Sequence, residues 1–272
     1  MTVSIVTYHT DLNELDCCLR CLSDSCVDRI WIIDNSSSPL IRNHVLSLGD
    51  HRIKYIAAEN RGYGAGHNIA IKEAMAFAPT DDLHLVINSD IRFDAEILQT
   101  LKDLCRKDST IGMVQPLVIG PDNNCLYSAR RLPTPFDLIL RRFLPASWAT
   151  KSRDRYLLKD RDLQQPLLVP YLAGSFMLIR LQALKDCGLF DERFFMYPED
   201  IDITRRIALK YKTVYYPAVA IIHDHRAASY KSKRMLRIHI VNIIKYFNKW
   251  GWLFDKQRRR LNDAITPYIP KP

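Results

Sequence analysis

The chain has 272 residues, of which 47% are hydrophobic and 25% are charged, and its formal net charge is +9. This composition is typical of a packed globular protein with one large domain or two small ones, and it excludes disordered and fibrous classes. The positive charge favours an anionic partner, whether nucleic acid, a negatively charged membrane surface or a phosphate-bearing substrate.

The first eight residues lack a basic region and a long apolar stretch, so they predict a first strand at 3–8 and not a signal peptide. We therefore expect a cytoplasmic protein. The seven cysteines are scattered and odd in number, which argues against a disulfide framework. Cys18 and Cys21 form a Cys-x-x-Cys without a second pair at zinc spacing, so structural thiols are expected.

Strands followed by helical patterns recur through the first part of the chain. The strands are predicted at residues 3–8, 29–34, 53–57 and 83–87. Asp11 and Glu14 resemble a capping box that opens the first helix, whose apolar face carries leucines at 12, 15, 19 and 22. Four such units predict an α/β fold with a mostly parallel, doubly wound sheet and a nucleotide-binding half.

Two of these strands end in a carboxylate, Asp34 and Asp90. Open α/β sheets bind ligands outside the carboxyl ends of their strands, so both side chains are candidates for a ligand site. Asp90 is suited to a hard cation such as Mg²⁺ or Mn²⁺, which prefers oxygen ligands and often bridges to phosphate. The alternatives are a turn role for Asp34 and capping of the helix that begins near Asp94 for Asp90.

The segment 59–68, Glu-Asn-Arg-Gly-Tyr-Gly-Ala-Gly-His-Asn, leads from the third strand into a helix. Glycines at 62, 64 and 66 suit a close approach of the backbone to a ligand. Their spacing is not G-x-G-x-x-G, the turn does not follow the first strand, and no Walker-type sequence is present. These features argue against a dinucleotide site.

After residue 118 the chain becomes basic and rich in proline, and order is predicted to resume at 169–180. This stretch predicts a loop or lid over the substrate side, and a solvated basic face is the alternative for its individual charges. The basic residues are Arg130, Arg131, Arg141, Arg142, Lys151, Arg153 and Arg155.

A second acidic centre follows an aromatic stretch at 190–198. Pro198 predicts a helix start, where the acids Glu199, Asp200 and Asp202 suit the helix dipole. One of these carboxylates is a candidate general base if the segment meets the carboxyl edge of the sheet. His223 follows a strand predicted at 214–222, and it is either a structural histidine or a ligand close to Asp90.

Together these segments resemble family 2 glycosyltransferases of the GT-A fold, in particular the rhamnosyltransferase-like branch that builds bacterial surface polysaccharides. The resemblance covers roughly residues 1–250. It is carried by the order and spacing of the opening strand, the turn at 33–37, the Gly-rich turn at 60–68, the triplet 88–90 in place of D-x-D, and the segments 174–178 and 188–202.

The resemblance implies roles for individual residues. Asp34 would contact the nucleobase, Asp90 the metal on the diphosphate and His223 the metal or diphosphate, while Asp200 would be the catalytic base. Further nucleotide contacts are implied for Thr7, Tyr8, Asn60, Arg61, Gly66, Asn68, Asn88 and Ser89, and acceptor contacts for Gly174, Ser175 and Glu199. Asn88 replaces the first acid of D-x-D, so the metal, Mg²⁺ or Mn²⁺, would rest mainly on Asp90, His223 and phosphate.

The implied protein is a metal-dependent, inverting glycosyltransferase that moves rhamnose from dTDP-rhamnose, or a hexose from a UDP-sugar, onto a surface polysaccharide or lipid-linked acceptor. A GT-A catalytic domain is expected at 1–230, with a nucleotide-sugar half at 1–118 and an acceptor half at 119–230. The alternatives are a nucleotidyltransferase of related fold, which would release pyrophosphate, and a noncatalytic nucleic-acid-binding protein.

Residues 231–272 are predicted to form an amphipathic helix and a basic tail. Charges within the apolar stretch 233–254 exclude a spanning helix. We expect most of the helix to pack on the catalytic domain, and its end, with Lys256, Arg258, Arg259 and Arg260, to contact an anionic membrane surface at the inner face of the cell membrane.

Overall fold

The structure, a computed structural model, describes residues 1–23, 26–77, 79–138, 146–224 and 233–270. An alternation of strands and helices runs through residues 2–119, as the sequence predicts. Its elements are β1 (Thr2–Thr7), α1 (Leu12–Ser23), β2 (Arg29–Asp34), α2 (Pro39–Ser47), β3 (Ile53–Ala57), α3 (Tyr63–Phe77), β4 (Leu83–Ile87), β5 (Ile91–Arg92), α4 (Glu96–Lys107) and β6 (Ile111–Ile119).

Short strands and helices follow, and the longest of these elements are β11 and α9. They are β7 (Ala129–Arg130), α5 (Pro135–Leu138), α6 (Ala146–Tyr156), β8 (Leu167–Leu168), β9 (Tyr171–Leu172), β10 (Phe176–Arg180), α7 (Leu181–Cys187), α8 (Glu199–Ala208), β11 (Lys212–His223), α9 (Lys233–Trp250), α10 (Lys256–Asp263) and β12 (Thr266–Pro267).

One mixed sheet joins both halves of the chain, in the order β12-β8-β11-β6-β10-β4-β1-β2-β3, and β5 pairs with β11. The pairs β4-β1, β1-β2, β2-β3 and β6-β11 are parallel, whereas β10 lies antiparallel between β4 and β6. The carboxyl ends of β1, β2 and β4 therefore share one edge, and Asp34 and Asp90 follow two of these ends.

Helices cover both faces of this sheet, and the strand residues alternate between them. In β4, Leu85 and Ile87 pack with the apolar faces of α1 and α4, whereas Val86 packs with α3, α7 and α8. The helix prediction for 12–22 is confirmed, because its leucines at 15, 19 and 22 are buried and Leu12 is partly buried. The core therefore has three layers.

The basic stretch is not simply a loop, because residues 146–156 form α6. Arg130 lies over the rings of Tyr156 and Tyr171, and Arg131 pairs with Asp160 at 2.7 Å between Nη2 and Oδ2. A solvated basic face is therefore wrong for these two arginines. Arg141 and Arg142 lie outside the described residues.

Two contacts fix the C-terminal segment on the catalytic body. Tyr246 and Phe247 of α9 are buried in a cluster with Phe194. Beyond α9, Asp255 forms a two-pronged ion pair with Arg205 of α8, with N–O distances of 2.7 and 2.6 Å, and both side chains are buried. The prediction that this segment packs on the catalytic domain agrees with these contacts.

Among the described residues, every helix is too short or too polar to cross a lipid bilayer.

We predict that Asp255→Ala lowers the free energy of unfolding by about 3 to 5 kcal/mol, because it leaves the buried Arg205 guanidinium without its counter-charge. The carboxylate also accepts a hydrogen bond from the Arg258 amide at the start of α10, at 2.8 Å. The matched control is Asp103→Ala, which removes an exposed acid near Arg106 and should change stability by less than about 1 kcal/mol. Equal losses in urea unfolding of the two variants would contradict this account.

Candidate functional site

Two adjoining cavities lie at the carboxyl edge of the sheet. The strand-end cavity, about 580 Å³, includes five predicted nucleotide or metal residues in its lining: Tyr8, Asn60, Asn88, Ser89 and Asp90. The α8 cavity, about 450 Å³, includes the predicted residues Asn88, Gly174, Ser175, Glu199, Asp200 and His223. Because Tyr63, Asn88 and Met196 line both cavities, a ligand in one would lie next to a ligand in the other.

Asp90 and His223, far apart in sequence, are brought together by the pairing of β5 with β11. The chain turns after β4 and pairs antiparallel with the end of β11, in a register that sets Ile91 opposite His223. The Asp224 amide then donates to the Asp90 carbonyl at 3.0 Å. As a result, Asp90 Oδ1 and His223 Nε2 lie 3.1 Å apart.

This pair fits a divalent cation. A carboxylate oxygen and an imidazole nitrogen are both common metal ligands, and adjacent ligands at about 2.1 Å from one ion lie about 3 Å from each other. No cluster of three His, Cys, Asp or Glu side chains occurs among the residues that the structure describes. Mg²⁺ usually takes several of its ligands from phosphate and water.

Asn88, the residue in place of the first acid of D-x-D, lies within hydrogen-bond distance of Tyr63. The Tyr63 hydroxyl lies 2.8 Å from both Asn88 Oδ1 and the Gly174 carbonyl, and it donates to one or the other. Burial and the nearby carboxylates, Glu199 first, hold the pKa of Tyr63 well above its usual range. Tyr63 therefore stays a neutral donor that ties the Gly-rich turn to both cavities.

Asp34 holds the turn after β2. Its Oδ1 accepts from the Thr7 hydroxyl at 3.2 Å and from the Ser36 amide and hydroxyl, and its Oδ2 accepts from the Ser38 amide and the Tyr55 hydroxyl. Burial raises its pKa, but these hydrogen bonds outweigh burial and bring the pKa below its usual value. Asp34 and Thr7 are fully buried beneath the strand-end cavity, where the next residue, Asn35, forms part of the lining.

The Gly-rich turn packs closely on the aromatic segment before α8. Gly62 has a φ of +107°, and a Cβ there would lie 2.1 Å from the Phe195 carbonyl oxygen, so only glycine fits. Asn68 donates to the Phe190 carbonyl and accepts from the Phe190 amide, at 2.9 and 3.0 Å. Arg61 is exposed and pairs with Glu192.

These contacts position the turn; Asn68 and Arg61 are outside the lining of the strand-end cavity. Gly66 also belongs to the buried packing and not to the cavity wall, because a Cβ there would meet Val6 Cγ2 at 2.8 Å. Of the segment 60–68, Asn60 and Tyr63 are the residues in that wall.

Glu14 lines the strand-end cavity, although the sequence analysis assigned it only to a capping box. Asp11 Oδ1 accepts from the Asn13 and Glu14 amides, so the predicted helix start is present. The Glu14 carboxylate, however, accepts from the Ser89 hydroxyl at 2.9 Å. A capping box accounts for a glutamate at this spacing, and no local signal pointed to Ser89.

Asp200 is held at the start of α8 by two donors. Its Oδ2 accepts from the Tyr171 hydroxyl and the Gly174 amide, both at 3.0 Å. A Cβ at Gly174 would lie 3.1 Å from the Asp200 Cβ, so glycine permits this close approach. Burial raises the pKa of Asp200, while the hydrogen bonds and the Arg130 charge oppose that rise.

Glu199 lies beside Asp200 and is more fully withdrawn from solvent, with 4% of its surface exposed. Its Oε2 is buried and makes no hydrogen bond to any described residue. Burial and the Asp200 charge hold the pKa of Glu199 well above its usual range. The two neighbouring acids therefore differ in which protonation state their surroundings favour. Hydrogen-bond donors and Arg130 favour the charged form of Asp200, whereas burial and the Asp200 charge favour the neutral form of Glu199.

Asp202, the third of the candidate acids, is outside the lining of both cavities. Its carboxylate pairs with Arg206 at 2.8 Å and Lys249 at 2.6 Å, and it accepts from the Trp250 indole. It therefore ties α8 to α9.

Other residues of the site were not predicted, among them Tyr63, Tyr171, Arg130 and Arg234. Tyr63 and Tyr171 lie within segments that the sequence singled out, and Arg130 lies in the basic stretch. Arg234 lines the strand-end cavity, yet it lies in the first turn of α9, a helix that the sequence assigned to packing and membrane contact. His225 and Arg226, which follow His223 closely in the sequence, lie outside the described residues.

The model of the family "Glycosyl transferase family 2" matches residues 2–188 of the chain. The chain belongs to glycosyl transferase family 2. The matched residues include β1 to α7, and thus Asp34, the triplet 88–90 and Gly174, whereas α8 with Asp200 and the end of β11 lie beyond them. Family membership confirms the resemblance drawn from the motifs.

Two curated relatives are rhamnosyltransferases. This family 2 chain is 31% identical over 182 residues to the N-acetylglucosaminyl-diphospho-decaprenol L-rhamnosyltransferase of Mycobacterium tuberculosis, an alignment that covers 62% of this chain and 57% of that protein. It is 27% identical over 257 residues to Rhamnosyltransferase WbbL of Escherichia coli strain K12, covering 88% and 89%. The chain thus spans little more than half the length of the mycobacterial relative.

Solved structures confirm the GT-A fold. The crystal structure of GalNAc-T7 with UDP, GalNAc and Mn²⁺ matches with a TM-score of 0.66 at 16% identity, covering 94% of this chain and 48% of that one. At this identity the likeness concerns the fold alone.

We predict that Asp90→Ala weakens Mn²⁺-dependent binding of nucleoside diphosphate by at least about 100-fold, because loss of a metal ligand should exceed the 10- to 100-fold effect of losing a residue that only supports one. The protein should remain folded, since this strand-end acid adds little to the core. Asp94→Ala, which removes a nearby exposed acid, is the matched control. Calorimetric titration with and without EDTA measures both; equal affinities would remove Asp90 from the site.

Proposed function

We propose that the protein is an inverting, metal-dependent glycosyltransferase. Its donor is a nucleotide sugar, dTDP-rhamnose or a UDP-hexose, and its acceptor is a growing surface polysaccharide such as an O-antigen or a lipid-linked oligosaccharide. The observation that carries the proposal is the position of Asp200, which is held by two donors in a cavity that adjoins the strand-end cavity at Tyr63 and Asn88. The two curated rhamnosyltransferases support the choice of sugar.

The strand-end cavity is the donor site in this proposal. Tyr8, Asn60 and Asn35 line the end that is nearest β1 and β2, where the nucleoside would lie, and Asp90 with Ser89 lines the diphosphate end. Asp34 would influence binding of the nucleobase indirectly, because it holds the turn that carries Asn35. Arg234 brings a positive charge from α9 to the same cavity, and it would bind the diphosphate.

Asp90 and His223 would hold Mg²⁺ or Mn²⁺ at the diphosphate. When bound, the cation neutralises charge on the nucleoside diphosphate as it leaves, since an unneutralised diphosphate is a poor leaving group. The fit of the two side chains, 3.1 Å apart, supports this assignment.

In the α8 cavity Asp200 would take the proton from the attacking acceptor hydroxyl. The Tyr171 hydroxyl and the Gly174 amide fix the carboxylate, and the Arg130 charge favours its ionised form. Attack on the face of the sugar opposite the diphosphate inverts the anomeric carbon in one step. Burial raises the pKa of Glu199 and favours its neutral form, which would donate a hydrogen bond to the acceptor, with Gly174 and Ser175 completing the contact.

A lipid-linked acceptor would place the enzyme at the inner face of the cell membrane. We propose a peripheral contact of the C-terminal segment there. Arg258, one of the four basic residues first assigned to that contact, is buried and bound to Asp255 and to the Trp252 carbonyl. The lipid contact therefore excludes Arg258 and rests on its exposed neighbours.

We predict that Asp200→Asn keeps the donor affinity but slows transfer by roughly 10²- to 10⁴-fold, the usual contribution of a general base. Asparagine preserves size and hydrogen bonding but cannot take the proton. Glu199→Gln should slow transfer less, because it still donates. Single-turnover rates with saturating nucleotide sugar, and the anomeric configuration of the product by NMR, measure this.

The pH dependence distinguishes a base from a structural acid. Because burial raises the pKa of Asp200, the wild-type rate should increase with pH through a value above that of an ordinary aspartate, as the carboxylate loses its proton. Asp200→Asn should lack this limb. A near-normal rate in Asp200→Asn, a retained anomeric configuration, or release of pyrophosphate in place of nucleoside diphosphate would each overturn the proposal.

A further inference from the structure

The outward face of α9 carries large apolar side chains that the protein leaves exposed. Its inward face is buried through Asn242, Ile243, Tyr246 and Phe247. On the opposite side, at spacings of four residues, lie Leu236, Ile240 and Ile244, exposed by 41, 50 and 40%, with Val241 beside them. Aliphatic side chains in such a row are unusual on a face that meets only water.

The turn after α9 continues this face. Asn248 is the next residue in the same row, and its side-chain oxygen accepts from the Trp252 indole at 2.9 Å. Leu253 and Phe254 follow and are exposed by 68 and 90%, respectively. The row on α9 and the three residues 252–254 therefore form one surface, which we call the α9 apolar surface.

Basic residues are frequent in the segment that carries the α9 apolar surface. Residues 233–260 contain nine lysines and arginines and one acid, Asp255, whose charge is already paired with Arg205 inside the protein. Trp252 and Leu253 share a cavity of about 630 Å³ with the exposed arginines Arg155 and Arg259, and with Asp137 and Asp263. Exposed apolar side chains with cations close by match the interface of an anionic bilayer, which offers an apolar interior beneath phosphate groups.

The inward face of the same helix forms part of the site. Met235 and Ile238 line the strand-end cavity, and the His239 ring lies 4.3 Å from that of Tyr197, which lines the α8 cavity. Asn242 donates to the Met196 carbonyl at 3.0 Å. Anything bound to the outward face of α9 would therefore be separated from both cavities by this one helix.

We infer that the α9 apolar surface docks on an anionic lipid bilayer. Trp252, Leu253 and Phe254 enter the headgroup region, Arg155, Arg259 and Lys256 contact lipid phosphate, and the helix lies along the interface. The consequence for the acceptor rests on the proposed function: docking brings the α8 cavity to the membrane, where a lipid-linked acceptor is held.

The test is partition onto vesicles, measured by sedimentation without donor or acceptor. Wild-type protein should bind vesicles that contain phosphatidylglycerol, and bind less at high salt. Leu253→Ser/Phe254→Ser should lower the partition coefficient at least about tenfold, through lost apolar burial. The matched control, Leu40→Ser/Leu46→Ser, removes two leucines that are 71 and 66% exposed on α2, at the opposite end of the sheet, and should change nothing.

The charge contribution has its own pair of variants. Lys256→Gln/Arg259→Gln should lower partition about fivefold for each charge removed, and Arg42→Gln on α2 should not. Nucleoside diphosphate affinity, measured on the same variants, should stay at the wild-type value, so a failure of the donor site is recognised separately from a failure of docking.

Three outcomes would overturn the inference. The first is absence of vesicle binding by the wild type. The second is equal loss in the Leu253/Phe254 and Leu40/Leu46 variants. The third is a dimer in analytical ultracentrifugation that Leu253→Ser/Phe254→Ser dissociates, which would assign the α9 apolar surface to a second copy of the chain.

Discussion

The antiparallel pairing of β5 with the end of β11 is the interaction on which the rest of the site depends. It sets Asp90, which follows β4, 3.1 Å from His223, at the end of β11, and so joins two distant parts of the chain at one point. Apart from this pairing, Asp90 follows β4 and His223 ends β11, two strands that do not pair with each other. The mixed sheet makes the pairing feasible, because β10 and β6 lie between β4 and β11 and fix their separation.

A second constraint is the close approach of backbones around Tyr63. Gly62 touches the Phe195 carbonyl and Gly174 touches Asp200, and at both positions a larger residue would push the segments apart. Tyr63 bridges them by reaching Asn88 and the Gly174 carbonyl. The start of α8 is thereby fixed against the sheet edge, which explains how the half-buried Asp200 keeps one orientation between Tyr171 and Gly174. Rigid placement of this kind is what a general base needs.

Much of the fold follows from the sequence, because the strands β1 to β4 and the helix α1 each carry a local apolar pattern that polar residues bound. The same reasoning located Asp90, Asp200 and His223 at element ends. It could not separate a strand-end acid that faces a ligand from one that binds its own turn, as Asp34 does, because both have the same local pattern. Glu14 fits a capping pattern, yet its carboxylate accepts a hydrogen bond from Ser89. Arg234 lines the strand-end cavity because of where α9 packs. Such contacts are set by tertiary packing, which local periodicity does not encode.

The central claim is that one cation site joins the two cavities, with the nucleotide on the β1 side and Asp200 on the other. A crystal structure with thymidine or uridine diphosphate and Mn²⁺, with the metal located by its anomalous scattering, tests it most directly. We expect one strong peak in contact with Asp90 and His223, and the nucleoside beside Tyr8 and Asn60. A peak away from both ligands, or a nucleotide bound outside the strand-end cavity, would contradict the account.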